Sequence, residues 1–158
     1  MVMASKPEPL EAGTTAPPFT GTTFDGQMVN LTDYKGIKVA LYFYPKDSTP
    51  GCTKQACNLR DNIDGLSGSG IAVIGVSPDE NASHEKFSTK HDLPFALLAD
   101  PDHKIIGKYG VWGQKQNYGK TYMGLQRTTF LIDEAGQIMH VFKRPKTSDH
   151  ATEILSKL

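Results

Sequence analysis

Two uninterrupted apolar runs dominate the pattern of polar and apolar positions: Val39-Ala40-Leu41-Tyr42-Phe43 and Ile71-Ala72-Val73-Ile74-Gly75-Val76. Turn residues bound each, and neither alternates as a half-exposed strand would, so both predict strands buried on both faces. Between them Cys52, Ala56, Leu59, Ile63 and Leu66 recur at steps of four, three, four and three, the apolar stripe of a helix lying on a sheet. Gly68-Ser69-Gly70 then breaks the chain before the second run. Strand, helix and strand in this order predict a parallel βαβ unit.

The flanking pattern extends the plan. Met1 to about Pro18, rich in Pro, Ala, Thr and Glu, predicts an extended or loose lead-in. Phe19 to Phe24 and Gln27 to Leu31, joined at Asp25-Gly26, predict a small hairpin, and Thr32 to Gly36 a turn or single helical turn. Ser77-Pro78-Asp79-Glu80 opens a helix to about His91, Phe95 to Ala99 is a short strand, and Asp100-Pro101 starts a helix through Tyr109. Val111 to Met123 shows no clear period. Gln126 to Ile132 and Gln137 to Phe142 predict an antiparallel hairpin across Asp133 to Gly136, and Ser148 caps a last helix over Asp149 to Leu158. The order matches the thioredoxin-like plan: an α/β fold with a central mixed β-sheet flanked by helices and an N-terminal β-hairpin. It reads as one domain over residues 1–158, with 1–12 as the loose lead-in.

Charge and composition narrow the function. Seventeen basic and seventeen acidic residues cancel, so no net charge draws the chain to nucleic acid or an anionic membrane, and a small neutral substrate suits it. No window approaches the ~18 apolar residues of a membrane span. Met1 to Pro9 lacks the apolar core of a signal peptide, and Glu8 and Glu11 do not suit a transit peptide, so a cytoplasmic location is the expectation. Two cysteines cannot build a secreted disulfide framework, and in a reducing compartment they point to catalysis or metal binding. The five histidines are scattered with none at ligand spacing from the cysteines, so no metal site is expected. Asp100, Asp102 and Asp133 read as turn and cap residues.

Both cysteines lie in Pro45-Lys46-Asp47-Ser48-Thr49-Pro50-Gly51-Cys52-Thr53-Lys54-Gln55-Ala56-Cys57, directly after the first apolar run. Thr49 fits an N-cap and Pro50 the first helical residue, which sets Cys52 in the first turn, where the helix dipole favours the nucleophilic thiolate. Cys57 lies off the apolar stripe. Five helical residues separate two backbones by about 140° and about 7.5 Å. A disulfide needs its α-carbons within roughly 4.4–6.8 Å, so bonding Cys52 to Cys57 requires the helix to unwind. From spacing alone, Cys57 reads equally as a bystander, Arg127 as an edge charge at the head of a strand, and Thr49 as a cap.

These residues carry a resemblance. Pro45-x-x-x-Thr49-x-x-Cys52 has the form of the peroxiredoxin active-site motif, and Gly51-Cys52-Thr53 with Cys57 five places on resembles the peroxiredoxin Q, or bacterioferritin comigratory protein, subfamily. Phe43 to Asp47, Arg60-Asp61-Asn62, Gly75-Val76-Ser77 and Arg127 to Asp133 look like that subfamily in the same order, so the resemblance runs from about Gly13 onward. It implies a thiol peroxidase acting on hydrogen peroxide and alkyl hydroperoxides and needing no cofactor. By position, Cys52 would be the peroxidatic cysteine and Cys57 the resolving one. Thr49 and Arg127 would complete the site, with Pro45, Gly51 and Tyr44 at the pocket. Gln55 departs from the glutamate common in the subfamily, keeping an acceptor but losing the charge. The chain lacks the cysteine-bearing tail of dimeric peroxiredoxins, so resolution within one chain, a monomer and recycling by thioredoxin or a similar dithiol reductant are the expectations. The competing function is a dithiol-disulfide oxidoreductase of thioredoxin type, which ordinarily uses C-x-x-C.

Overall fold

The computed structural model describes residues 5–158. Strands β1 (Thr20–Thr22) and β2 (Met28–Asn30) form the N-terminal hairpin, followed by a 3-10 turn over Leu31–Tyr34. Strand β3 (Lys38–Phe43) leads through a loop into helix α1 (Pro50–Asp61), a short α2 (Ile63–Gly68) and strand β4 (Ile71–Ser77). Helix α3 (Asn81–His91), strand β5 (Ala96–Ala99) and helix α4 (Lys104–Lys108) follow. Strands β6 (Trp112–Asn117), β7 (Lys120–Leu125), β8 (Thr128–Ile132) and β9 (Ile138–Phe142) precede helix α5 (His150–Leu155).

The main sheet runs β5-β4-β3-β8-β9, with β3, β4 and β5 parallel, β8 antiparallel to β3, and β9 antiparallel to β8. This is the expected mixed sheet. Alternation along β3 explains its unbroken apolar run. Val39, Leu41 and Phe43 join one buried cluster with Phe19, Tyr109 and Phe130, while Ala40, Tyr42 and Tyr44 join the other with Cys52, Ala56, Leu59 and Phe87. Helices α1, α3 and α5 cover the second face, which makes it the face of the thiol.

Several local expectations are corrected. Val111 to Met123 is not irregular: β6 and β7 form a hairpin around Tyr118-Gly119, both at positive φ (50° and 77°). Most of β7 is exposed, so it carries no apolar alternation to read. The helix expected from Ser77 begins only at Asn81, because Ser77 closes β4 and Ser77-Pro78-Asp79-Glu80 make the connection. The apolar stripe spans two helices, since α1 ends at Asp61 and Leu66 belongs to α2. The last helix has Asp149 rather than Ser148 at its N-cap position, with no side-chain cap hydrogen bond, and spans only His150–Leu155.

The helix expected to start at Asp100-Pro101 begins only at Lys104, with His103 at its N-cap position, and Asp100 serves it from outside as a cap residue, accepting from the Lys104 and Ile106 N–H groups at 3.0 and 2.7 Å. Met1 to Ala4 of the lead-in lie outside the described residues. From Ser5 the lead-in is not loose but tied down, with Ser5 O accepting from Gln114 N, Leu10 N donating to Tyr109 O and Gly13 N to Ile138 O at 2.8, 3.2 and 2.8 Å.

Candidate active site

The thiol and the guanidinium meet because of strand register. The last β3–β8 pair is Phe43 with Thr128, so one further antiparallel step sets Tyr44 opposite Arg127. Leu131 of β8 faces the apolar cluster that holds Cys52, and Arg127, four residues earlier, shares its parity. Arg127 therefore projects to the face covered by α1. There Nη2 donates to Cys52 Sγ at 3.3 Å and Nη1 to Gln55 Oε1 at 2.6 Å, each across more than 70 residues of chain.

Cys52 is the third residue of α1 and only 1% exposed, and both cysteines are free thiols. Gly51 leaves the guanidinium room: a Cβ there would stand 3.1 Å from Arg127 Nη2. Gln55 is fully buried and supplies the acceptor its sequence position suggested, while its Nε2 has no partner among the described residues. Thr49 occupies the N-cap position with extended backbone. Its hydroxyl, however, donates back to Lys46 O at 2.8 Å instead of accepting from a helix N–H. Both lone pairs of that oxygen stay open to a donor from elsewhere. Pro45 is exposed at the start of the loop.

Tyr44, expected at the pocket, lies fully buried beneath the loop, stacked on Tyr42 at 5.3 Å between ring centroids. Its hydroxyl donates to Asp47 Oδ1 at 2.6 Å. Asp47 is the anchor that sequence reasoning missed. Its Oδ2 also accepts from Ser83 Oγ at 2.8 Å and faces His84 Nδ1 at 2.7 Å, while its own N–H donates to Asp79 Oδ2 at 2.8 Å. Burial alone would push the Asp47 carboxyl up. The hydrogen bonds from His84, Tyr44 and Ser83, with the charge of His84, outweigh it and hold Asp47 below the usual carboxylate range. These bonds bracket Ser48, a non-glycine residue held at φ 64°, a conformation that persists only where its surroundings enforce it.

Asp47, Asp79 and His84 bring possible metal-ligand atoms within 4.8 Å of one another. Those atoms are already engaged with each other and with Tyr44, Ser77 and Ser83. The cluster works as a hydrogen-bonded clasp that fixes the cysteine loop to α3.

Cys57 lies on the outer side of α1, half-buried, with Sγ 3.7 Å from His91 Nδ1. Arg60, one turn on, donates to His91 O at 2.8 Å. Asn58 clasps α5, donating to Ser148 O at 3.0 Å and accepting from Ala151 N at 2.8 Å. Trp112 sits on the opposite face of the sheet, its ring 4.0 Å from that of His103.

The comparisons with known proteins agree with this geometry. The AhpC/TSA family profile matches residues 12–141. The chain is 50% identical over 150 residues to peroxiredoxin Bcp of Escherichia coli K12, covering 95% of this chain and 96% of that protein. It is 46% identical over 149 residues to peroxiredoxin Bcp of Bacillus subtilis 168, covering 94% and 95%. A solved peroxiredoxin Q of Xanthomonas campestris superposes with a TM-score of 0.84 at 31% identity, covering 92% of this chain and 94% of that one. A buried thiol at a helix start, a guanidinium delivered to it by strand register, and these likenesses along nearly the whole length lead to one conclusion: the chain belongs to the AhpC/TSA family, within the Bcp or peroxiredoxin Q group of peroxiredoxins, which are thiol peroxidases.

Proposed function

We propose that the chain reduces hydrogen peroxide and alkyl hydroperoxides through a Cys52 sulfenic acid, which Cys57 resolves as an intramolecular disulfide. A thioredoxin-like dithiol then reduces that disulfide, and a single chain suffices for the cycle. The supporting observation is the Arg127 Nη2 to Cys52 Sγ contact of 3.3 Å at the start of α1. The Cys52 thiolate attacks one peroxide oxygen, the S–O bond forms as the O–O bond breaks, and the departing oxygen leaves as water or alcohol after taking a proton. An ordinary thiol with pKa near 8.5 is about 3% thiolate at pH 7, so complete ionisation raises the rate only about 30-fold.

Aiming is the larger contribution, since correct placement of reacting groups supplies about 7–11 kcal/mol. Arg127 offers a rigid fork whose donors can serve sulfur and peroxide together. Because Gln55 is an amide, no carboxylate at that position neutralises the guanidinium. Thr49 Oγ1, at the N-cap position, and the N–H groups that open α1 would serve as further polar partners for the peroxide. The proposed setting is the cytoplasm; among the described residues no helix is long and apolar enough to cross a membrane.

Peroxide-consumption and insulin-reduction assays run side by side, both recycled by thioredoxin and its reductase, test the reading. Rapid peroxide turnover with negligible insulin reduction is expected. The reverse would favour a dithiol-disulfide oxidoreductase.

The disulfide demands a second change. Both cysteines lie inside the unbroken helix α1, so the segment from about Cys52 to Leu59 must unwind before the sulfurs can bond. Unwinding breaks the Asn58 clasp on α5 and the Arg127 contact with Gln55. Amide exchange should therefore show protection lost over residues 52–59 and at the start of α5 in the disulfide form only. Unchanged protection in fully disulfide-bonded protein would overturn this step.

A further inference from the structure

We infer that His91 is the general base that activates Cys57, taking its thiol proton so that a thiolate is ready to attack the Cys52 sulfenic acid. This rests on the proposed role of Cys57 and adds a catalytic residue to the resolving step. Cys57 is not a lone thiol. Its Sγ lies 3.7 Å from His91 Nδ1, within reach of an S–H to nitrogen hydrogen bond, and both groups are half-buried.

Packing and backbone contacts fix the ring. Phe87, one turn earlier on α3, meets it edge-on at 5.2 Å between centroids. Arg60 Nη1 grips the His91 carbonyl at 2.8 Å, which ties the end of α3 to the same stretch of α1 that carries Cys57. His91 is also the last residue of α3, the end at which a helix favours a cation.

The surrounding charges suit a thiolate and an imidazolium. From α1 they include Arg60 and Asp61; the hydrogen bond to Asp61 is the main cause that holds the Arg60 guanidinium more firmly protonated, and charge on Cys57 adds to it. Asp61 pairs with Arg60 at 2.9 Å, and Asp92, just past the ring, also acts on that guanidinium. Lys90 is the neighbouring residue on α3. From β3, the Tyr42 hydroxyl is disfavoured from ionising first by burial and then by charge on Cys52, with charge on Cys57 a lesser contribution.

The step balances. His91 accepts the proton of the Cys57 thiol, and the thiolate sulfur attacks the Cys52 sulfur. The S–S bond forms as the S–O bond breaks, hydroxide departs, and one proton converts it to water. The imidazolium returns its proton to solvent. Cys52 sulfur is reduced and Cys57 sulfur oxidised, with no outside reagent. Proton removal takes place in the folded helix, before unwinding carries Cys57 from the ring.

The test separates the two half-steps by stopped flow, following Cys52 oxidation by hydrogen peroxide and then disulfide formation, in wild type, His91→Phe and His91→Gln. Both variants keep a ring or an acceptor at a half-exposed site but cannot take up a proton. Cys52 oxidation is expected to be unchanged. Disulfide formation at pH 7 should slow by up to about 30-fold, the full gain from ionising an ordinary thiol. The deficit should shrink toward nothing by about pH 10, where the thiol ionises unaided. Equal disulfide rates at pH 7, or a deficit of the same size at every pH, would overturn the inference; the second result would mark His91 as a packing contact. Cys57→Ser keeps the two readings apart. If that variant still turns over with thioredoxin at the wild-type rate, the resolving role itself has failed, whatever His91 does.

Discussion

Cys52→Ser is expected to reduce peroxide consumption to background. A serine hydroxyl is not ionised at neutral pH and cannot accept oxygen to form a sulfenic acid, so the reaction loses its nucleophile outright. The fold should survive, because Ser is smaller than Cys and Arg127 Nη2, now 3.3 Å from the sulfur, can donate to a hydroxyl in its place. A modest fall in thermal midpoint, from placing a hydroxyl in a site only 1% exposed, would accompany a complete loss of turnover. Peroxide consumption monitored with thioredoxin recycling gives the answer. Persistent turnover at more than a few per cent of the wild-type rate would mean that the chemistry happens elsewhere.

The second large effect is expected from Arg127→Met, which keeps the length and apolar stem but removes the charge and both donors. Loss of one well-placed donor at a developing charge commonly costs 10²–10³ in rate. Oxidation of Cys52 at pH 7 should fall by about that much. Ionisation accounts for no more than about 30-fold, so raising the pH should recover only that part and leave a residual deficit that belongs to peroxide positioning. Arg127→Lys should recover some charge but not the paired contacts to Cys52 and Gln55, since an ammonium is a point donor rather than a planar fork. In Arg127→Met the buried Gln55 oxygen also loses its partner, at a stability cost of about 1–3 kcal/mol, so unfolding midpoints belong in the same experiment. A rate within a few-fold of wild type would remove Arg127 from the mechanism.

The elements that the sequence revealed are those whose burial is one-sided or complete. β3 and β4 read as continuous apolar runs because clusters of side chains cover both their faces. The stripe through Cys52, Ala56 and Leu59 was readable because those residues are buried on one side of α1. The β6-β7 hairpin escaped notice for the converse reason: with Lys120, Thr121, Tyr122 and Met123 exposed, no alternation was imposed on the residues. Thr49 shows a different limit. Its place as N-cap followed from Pro50, but the direction of its hydroxyl depended on the turn made by Lys46 to Thr49.

Taken alone, the sequence determined the order of the main-sheet strands, the mixed sheet, the position of Cys52 in the first helical turn and the incompatibility of a Cys52–Cys57 bond with an intact helix. Each follows from local period, capping chemistry or helix geometry, which act over a few residues. Tertiary structure alone decided which distant groups meet those sulfurs. The β3–β8 register brings Arg127 to Cys52, the packing of α3 beside α1 brings His91 to Cys57, and the buried clasp of Asp47 with Ser83 and His84 holds the loop between them. Contacts across 34 to 75 residues depend on how sheet and helices pack, and no local pattern of residue types encodes that.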